Sequence, residues 1–273
     1  MPAPWLFRGV REGIVTSRWP SGHDAYFDDF PAAIGTRPGT PPPQSELSAT
    51  CPTDAILAAD GQARIDRGRC VLCGRCVARW PERFVAERGA GTSGSTRRQL
   101  IVPALPDTEE AVAAVRASLA GRVRRLRRSV HIRHIDAGSD GADEWEVQAL
   151  ANPVYDIHRL GIFFTASPRH ADILLVTGLG SVGMRPALAR TREAMPSPVV
   201  VIASGVDAAS GGVFAGSYAG SDGIGALLDV DVWIPGNPAS PFSLMHAILL
   251  ALGRLPSGQE FPRSGTGQQA GVE

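Results

Sequence analysis

Four cysteines carry the most specific chemistry in this sequence. Cys51, Cys70, Cys73 and Cys76 fall inside one 26-residue window, and no cysteine occurs elsewhere. Such clustering argues for metal binding rather than disulfides. Cys70-Val-Leu-Cys73-Gly-Arg-Cys76 is a C-x2-C-x2-C run, and Cys51 is followed by Pro52. Thiolates at this spacing can wrap three corners of an iron-sulfur cube with backbone amides turned toward the sulfides, while a distant Cys-Pro supplies the fourth. The competing readings are a tetrahedral zinc site and unrelated buried thiols. Zinc motifs usually pair two C-x2-C knuckles, whereas here three cysteines share one tight loop. The expected cofactor is therefore one 4Fe-4S cluster.

Other chemistries are excluded by what is missing. All 27 basic residues are arginine, so neither a catalytic lysine nor a Walker-type phosphate lysine is available. The 27 basic residues are balanced by 27 acidic ones, which removes the global electrostatic argument for a nucleic-acid binder. No Ser-His-Asp or Cys-His order stands out, and His131, His134, His158 and His170 are dispersed.

The elements that must position the cysteines divide the chain. With 44% hydrophobic and 20% charged residues, it has the makings of a packed core. Residues 35–45 contain four prolines and read as an extended loop, because proline removes a donor and fixes φ. A second break, rich in glycine and serine, falls at residues 89–96. Asp107 to Glu110 has the form of a capping box. It precedes an apolar stripe of Val112, Val115, Leu119, Val123 and Leu126, which predicts a helix to about Arg128. Strands are expected over 131–136, 161–166, 173–177, 199–203 and 230–234, and helices over 143–150, 186–193 and 241–252. This alternation implies a mainly parallel sheet covered on both faces, with functional loops at the strands' carboxyl ends. The expected division is 1–95, 96–128 as a linker helix, 129–255, and a disordered tail over 256–273.

The region from about 46 to 85 resembles a bacterial-type ferredoxin with two clusters. In that family each half reads C-x2-C-x2-C-x3-C-P, and the fourth cysteine of each half ligates the other half's cluster. Aligned to that pattern, Pro41, Gln44, Leu47 and Trp80 stand at the cysteine positions of one cluster. The resemblance assigns Cys51, Cys70, Cys73 and Cys76 to the other, so it implies one complete cluster and one erased.

Residues 128–252 resemble the small electron-transferring subunit of formate-hydrogenlyase-type nickel-iron hydrogenases and the homologous cluster-bearing subunit of respiratory complex I. The likeness rests on the stretches 129–139, 144–150 and 161–178, on Asn152-Pro153, on Gly211 to Phe214, and on Ile234-Pro-Gly236. It implies a flavodoxin-like α/β fold with a terminal cluster at the strand ends. The family's four cysteines fall here on Asp140, Asp143, Asp207 and Asn237. Three carboxylates and an amide are poor ligands for soft, electron-rich irons, so this cluster is expected to be lost. A hard cation such as Mg2+ or Ca2+ on those four residues is one replacement; pairing with arginines or solvent is the other. The Gly178-Leu-Gly180-Ser-Val-Gly183 run mimics a dinucleotide fingerprint, yet the family has its own loop there. The stretch 9–16 with Trp19-Pro20 also resembles the start of the ferredoxin-like partner subunit in those complexes.

The expectation is thus an α/β chain, a ferredoxin-like α+β module fused to a flavodoxin-like domain. It would act as a non-catalytic electron-transfer subunit beside a large hydrogenase-like or complex-I-like subunit and membrane subunits. The alternatives are a structural scaffold whose cluster only stabilises the fold, and an oxidoreductase subunit with a different acceptor. With no secretion signal and no apolar run long enough to span a bilayer, it is expected in the cytoplasm, peripheral on the membrane through its partners. The arginines at 122, 124, 125, 127, 128 and 133 form a local basic stretch, read as a solvated helix face.

Overall fold

Aliphatic runs without polar alternation belong to strands buried on both faces, and the centre of this molecule is built from them. In the computed structural model, residues 4–105, 108–124 and 129–255 are described. Five strands, β6 (Val130–Asp136), β7 (Ile162–Phe164), β8 (Ile173–Thr177), β9 (Val200–Ser204) and β10 (Val232–Ile234), form one sheet in the order β10-β9-β8-β6-β7, all pairs parallel. Every residue of β8 and β9 is buried. Read from β7, this is the flavodoxin order, whose switch point lies between β6 and β8. Helices α6 (Ala142–Ala149) and α9 (Pro241–Ala251) pack with one face; α7 (Arg185–Ala194) and α8 (Gly205–Ser210) pack with the other. All of α9 is buried.

The N-terminal half is smaller and antiparallel. β1 (Pro31–Thr36) pairs with β4 (Phe84–Arg88), and β2 (Ile56–Ala59), β3 (Gln62–Asp66) and β5 (Ile101–Val102) make a three-stranded sheet. Helices α3 (Gln44–Thr50) and α4 (Arg75–Arg79) close over a core of Ile34, Leu47, Ile56, Ile65, Phe84 and Val102. The proline-rich loop is shorter than its sequence predicts: Gly35 and Thr36 belong to β1, and Gln44 and Ser45 open α3. The remaining helices are α1 (Pro4–Glu12), α2 (Ala25–Asp29) and α5 (Thr108–Val123). Leu119 and Val123 of the predicted stripe are buried against the α/β core. The contacts expected of Asp107 and Glu110, the residues 125–128 and the tail from 256 lie outside the described residues.

Two segments tie the halves together. Ser17 and Thr16 bond Val154 and Pro153, and Trp19 stacks on Phe27 at 4.4 Å while both meet the Phe242 edge. The core of the α/β part therefore includes Trp19, Phe27 and Ala90. Gly94 bridges Trp233 on the β10 edge, its N–H and carbonyl both bonded at 2.9 and 2.8 Å.

Candidate metal centre

The four cysteines come from two separate segments, and the fold brings them to one cavity. Cys51 caps the C-terminus of α3, its N–H bonded to the Leu47 carbonyl. The other three follow β3: Cys70 N–H bonds the Asp66 carbonyl, Leu72 and Gly74 take positive φ of 55° and 71°, and Cys76 lies buried on α4. Two left-handed residues, one on each side of Cys73, let the chain turn tightly enough to bring three sulfurs to one cavity. With the cysteines, Ile34, Ala55, Ile56 and Ile65 line the cavity, and this apolar wall backs the sulfurs on their inner side. Cys76 is buried, Cys51 and Cys70 are partly covered, and Cys73 is exposed.

Burial and mutual proximity act on the thiols together. Desolvation pushes Cys70 up to about 12, opposed by a backbone hydrogen bond at Leu72 and reinforced by the other three cysteines. Cys76 is raised by desolvation and by Cys51 and Cys73, against a backbone bond at Val77. The Ala55 N–H donates to Cys51 Sγ at 3.2 Å. Amides aimed at sulfurs and an apolar cavity wall fit an iron-sulfur cluster, since metal binding releases the protons that the bare thiols retain. Among the described residues, no three His, Cys, Asp or Glu side chains converge on a single ion. The cysteines ring a cavity rather than meet at a point.

The positions where the ferredoxin resemblance lacks cysteines are occupied by packing. Leu47 is fully buried. The Gln44 amide donates to the Ile56 carbonyl at 3.2 Å and accepts from the Ala58 N–H at 2.9 Å, so it clamps β2. Trp80 packs beside Phe84, with the Arg79 guanidinium 4.9 Å above the indole.

Asp140, Asp143, Asp207 and Asn237 all stand at the carboxyl end of the parallel sheet, in the loops or helix starts after β6, β9 and β10. Asp143 accepts the Ala239 N–H at 3.0 Å, two residues beyond Asn237. Its carboxylate rests on Gly205, where a Cβ would come within 2.1 Å of Oδ2. Asp143 and Asp207 are buried; Asp140 and Asn237 are exposed. Desolvation raises Asp143 to about 8, opposed by the Ala239 N–H and reinforced by Glu144, Asp207 and Asp140. Asp207 rises to about 6 through desolvation, Asp140 and Glu144. The carboxylates thus share one neighbourhood without forming a cage around an ion.

Sequence reasoning missed the polar chain beside them. The Ser139 hydroxyl donates to Glu144 Oε2 at 2.7 Å, Thr177 donates to Glu144 Oε1, and His134 Nε2 lies 3.0 Å from the Thr177 hydroxyl. Burial lowers His134 against the pull of Glu144 and Asp136. The register of β6 and β8 puts His134 and Thr177 on the same face of the sheet.

Arg97 joins the two regions. Its guanidinium grips Asp66 through both terminal nitrogens at 2.7 and 2.8 Å, and its Nε donates to the Ala209 carbonyl at 3.1 Å. Asp66 precedes the cysteine loop and also accepts the Gly68 N–H. Ala209 lies on α8 with Asp207.

Comparison with known proteins gives two family matches. Residues 141–251 match the family of the NADH ubiquinone oxidoreductase 20 kDa subunit. Residues 64–118 match the 4Fe-4S single cluster domain, a span that holds Cys70, Cys73 and Cys76 and leaves Cys51 outside. The chain is 35% identical over 154 residues to formate hydrogenlyase subunit 7 of Escherichia coli (strain K12), covering 56% of this chain and 59% of that protein. It is 37% identical over 130 residues to the probable membrane-bound hydrogenase subunit mbhJ of Pyrococcus furiosus, covering 48% of this chain and 78% of that protein. A chain in the structure of the membrane-bound sulfane sulfur reductase, an archaeal respiratory membrane complex, matches at 27% identity with a TM-score of 0.44, covering 51% of this chain and 77% of that one.

Proposed function

The chain belongs to the family of hydrogenase subunits related to the 20 kDa subunit of NADH ubiquinone oxidoreductase, with a 4Fe-4S single cluster domain preceding that part, and from this premise we propose that it is an electron-transfer subunit whose redox centre is in its N-terminal module alone. The observation that carries the proposal is the convergence of Cys51, Cys70, Cys73 and Cys76 on one apolar cavity. The 4Fe-4S cluster, when bound, supplies a one-electron carrier. The chain's residues do the rest. Ile34, Ile56 and Ile65 back the sulfurs on their inner side, amides orient on them, and the exposed Cys73 marks the face through which a partner exchanges electrons.

The α/β end does not fit a cluster. Asp140, Asp143, Asp207 and Asn237 offer oxygen and amide groups, two buried and two exposed, and hard ligands match iron-sulfur chemistry poorly. On this reading the domain keeps the family's fold as a docking body and has given up its terminal electron site. The partners on this reading are a large hydrogenase-like or complex-I-like subunit and membrane subunits; the relatives' names place them in a formate hydrogenlyase and a membrane-bound hydrogenase. No helix among the described residues is long and apolar enough to cross a membrane.

Cys51 tests the ligand set, since it lies outside the matched cluster span. Cys51→Ser is expected to abolish the low-temperature electron paramagnetic resonance signal of the dithionite-reduced protein, or convert it to a three-iron signal after oxidation. An unchanged four-iron signal would remove Cys51 from the site.

A further inference from the structure

α1 is a nine-residue helix that buries none of its residues. Trp5, Leu6, Phe7 and Val10 are between 53% and 78% exposed, and beyond the helix Ile14 is 86% exposed. A helix this short is marginal in water by itself. Neither its own length nor packing on the body explains it, so its apolar face calls for an external phase.

The arrangement of side chains says which phase. At 3.6 residues per turn, the order around the helix is Trp5, Gly9, Leu6, Val10, Phe7, an apolar arc of about 200°. Arg8, Arg11 and Glu12 fill the remaining side. Leu6 and Val10 are central, and the two aromatic rings stand at the flanks, where amphipathic rings sit at a lipid-water boundary. An arc this broad exceeds the narrow stripe that a helix presents to a protein groove. Arg8 and Arg11 are exposed on the other side of the helix, where their guanidinium groups can meet phosphate. Ile14 and Val15, both exposed, extend the apolar surface toward the strap at Thr16 that anchors the helix to Pro153.

We infer that α1 lies in the surface of an anionic lipid bilayer, with Leu6, Val10, Trp5 and Phe7 immersed and Arg8 and Arg11 at the headgroup phosphates. Insertion of an apolar face combined with attraction to anionic lipid is the physics of in-plane helices. The chain would then hold its own contact with the membrane, in addition to any through partner subunits. The inference is independent of the cluster reading, because α1 touches neither the cysteine cavity nor the carboxylates.

The test is co-sedimentation of the full chain, purified anaerobically, with vesicles of phosphatidylcholine and phosphatidylglycerol at low salt. Binding is expected, weaker with phosphatidylcholine alone, and reduced by about tenfold or more in the Leu6→Glu/Val10→Glu variant. Arg8→Gln/Arg11→Gln is expected to erase the preference for the anionic vesicles. Because these side chains are exposed, iron content and melting temperature should match the parent chain, which separates loss of lipid contact from loss of fold. A parent chain that stays in the supernatant with its iron intact would overturn the inference and point to a protein groove as the occupant. Equal binding by the Leu6→Glu/Val10→Glu variant would overturn it too.

Discussion

The cysteine cavity and the acidic end of the parallel sheet are built alike and answer burial differently. Each gathers ionisable side chains from separated loops beside a short helix, α4 in one case and α8 in the other. In both, desolvation is the largest cause of the shift toward the neutral form. A buried thiol raised to about 12 would release its proton to solvent on binding iron, a soft metal matched to sulfur. A buried carboxyl raised to about 8 is neutralised by a proton at ordinary pH and needs no metal. The difference teaches that burial acts alike on the two sets of side chains, and that the proposed assignment of redox chemistry to one end alone rests on ligand type, thiol against carboxyl. The positions of Leu47, Gln44 and Trp80 give a third outcome, in which side chains fill space and clamp a strand.

The widest break in this comparison comes from paired substitutions. Cys76→Ser is expected to lose nearly all iron and to melt several degrees lower, whereas Asp207→Ala should leave iron content unchanged; iron analysis with a thermal melt checks both. Iron lost from Asp207→Ala would mean that the acidic end holds metal after all.

Asp143 sharpens the contrast through pH. Its carboxyl keeps its proton to about pH 8 in the folded chain, while the unfolded chain loses it near pH 4. Folding stability should therefore fall as pH rises between those values, by up to about 1.4 kcal/mol per unit from this group. Asp143→Asn keeps an acceptor for the Ala239 N–H and removes the ionisation. Denaturant melts at pH 5 and pH 8 should show the variant gaining on the parent at the higher pH; an equal gap at both would discard the buried-acid account.

Arg97 tests whether the regions act as one body. Arg97→Ala leaves Asp66 without its bidentate partner and is expected to cost about 1–3 kcal/mol, a drop of several degrees in melting temperature. Two separate transitions in calorimetry would show that this contact couples the modules. At the small end, Arg79→Ala removes a half-exposed pair with Glu46 and a contact with Trp80. A change within about 1 kcal/mol is expected, and a larger one in urea melts would give Trp80 more weight than simple packing.

Much of this was legible in local sequence. The C-x2-C-x2-C loop announces its chemistry by spacing, and the aliphatic runs at 173–177 and 199–203 announce buried parallel strands within a residue of their ends. Long-range relations were not legible. Nothing local in Thr177 or His134 signals the chain from His134 through the Thr177 hydroxyl to Glu144, because it depends on β6 and β8 lying side by side. Ser17 meets Val154 across 137 residues, and no periodicity reports that the strap around Trp19 completes the α/β core. The short helix α8 escaped because its sequence, Gly-Val-Asp-Ala-Ala-Ser, has too few residues for an apolar stripe. The carboxylates at 140, 143 and 207 were visible as residues, but their division into buried and exposed was not.

The most direct test of the central claim is the iron and acid-labile sulfide content of the anaerobically purified chain, read with electron paramagnetic resonance of the dithionite-reduced sample. A single 4Fe-4S site in the cysteine cavity predicts about four of each per chain and one reduced-cluster signal. About eight of each, with a second signal that survives Cys76→Ser, would contradict it.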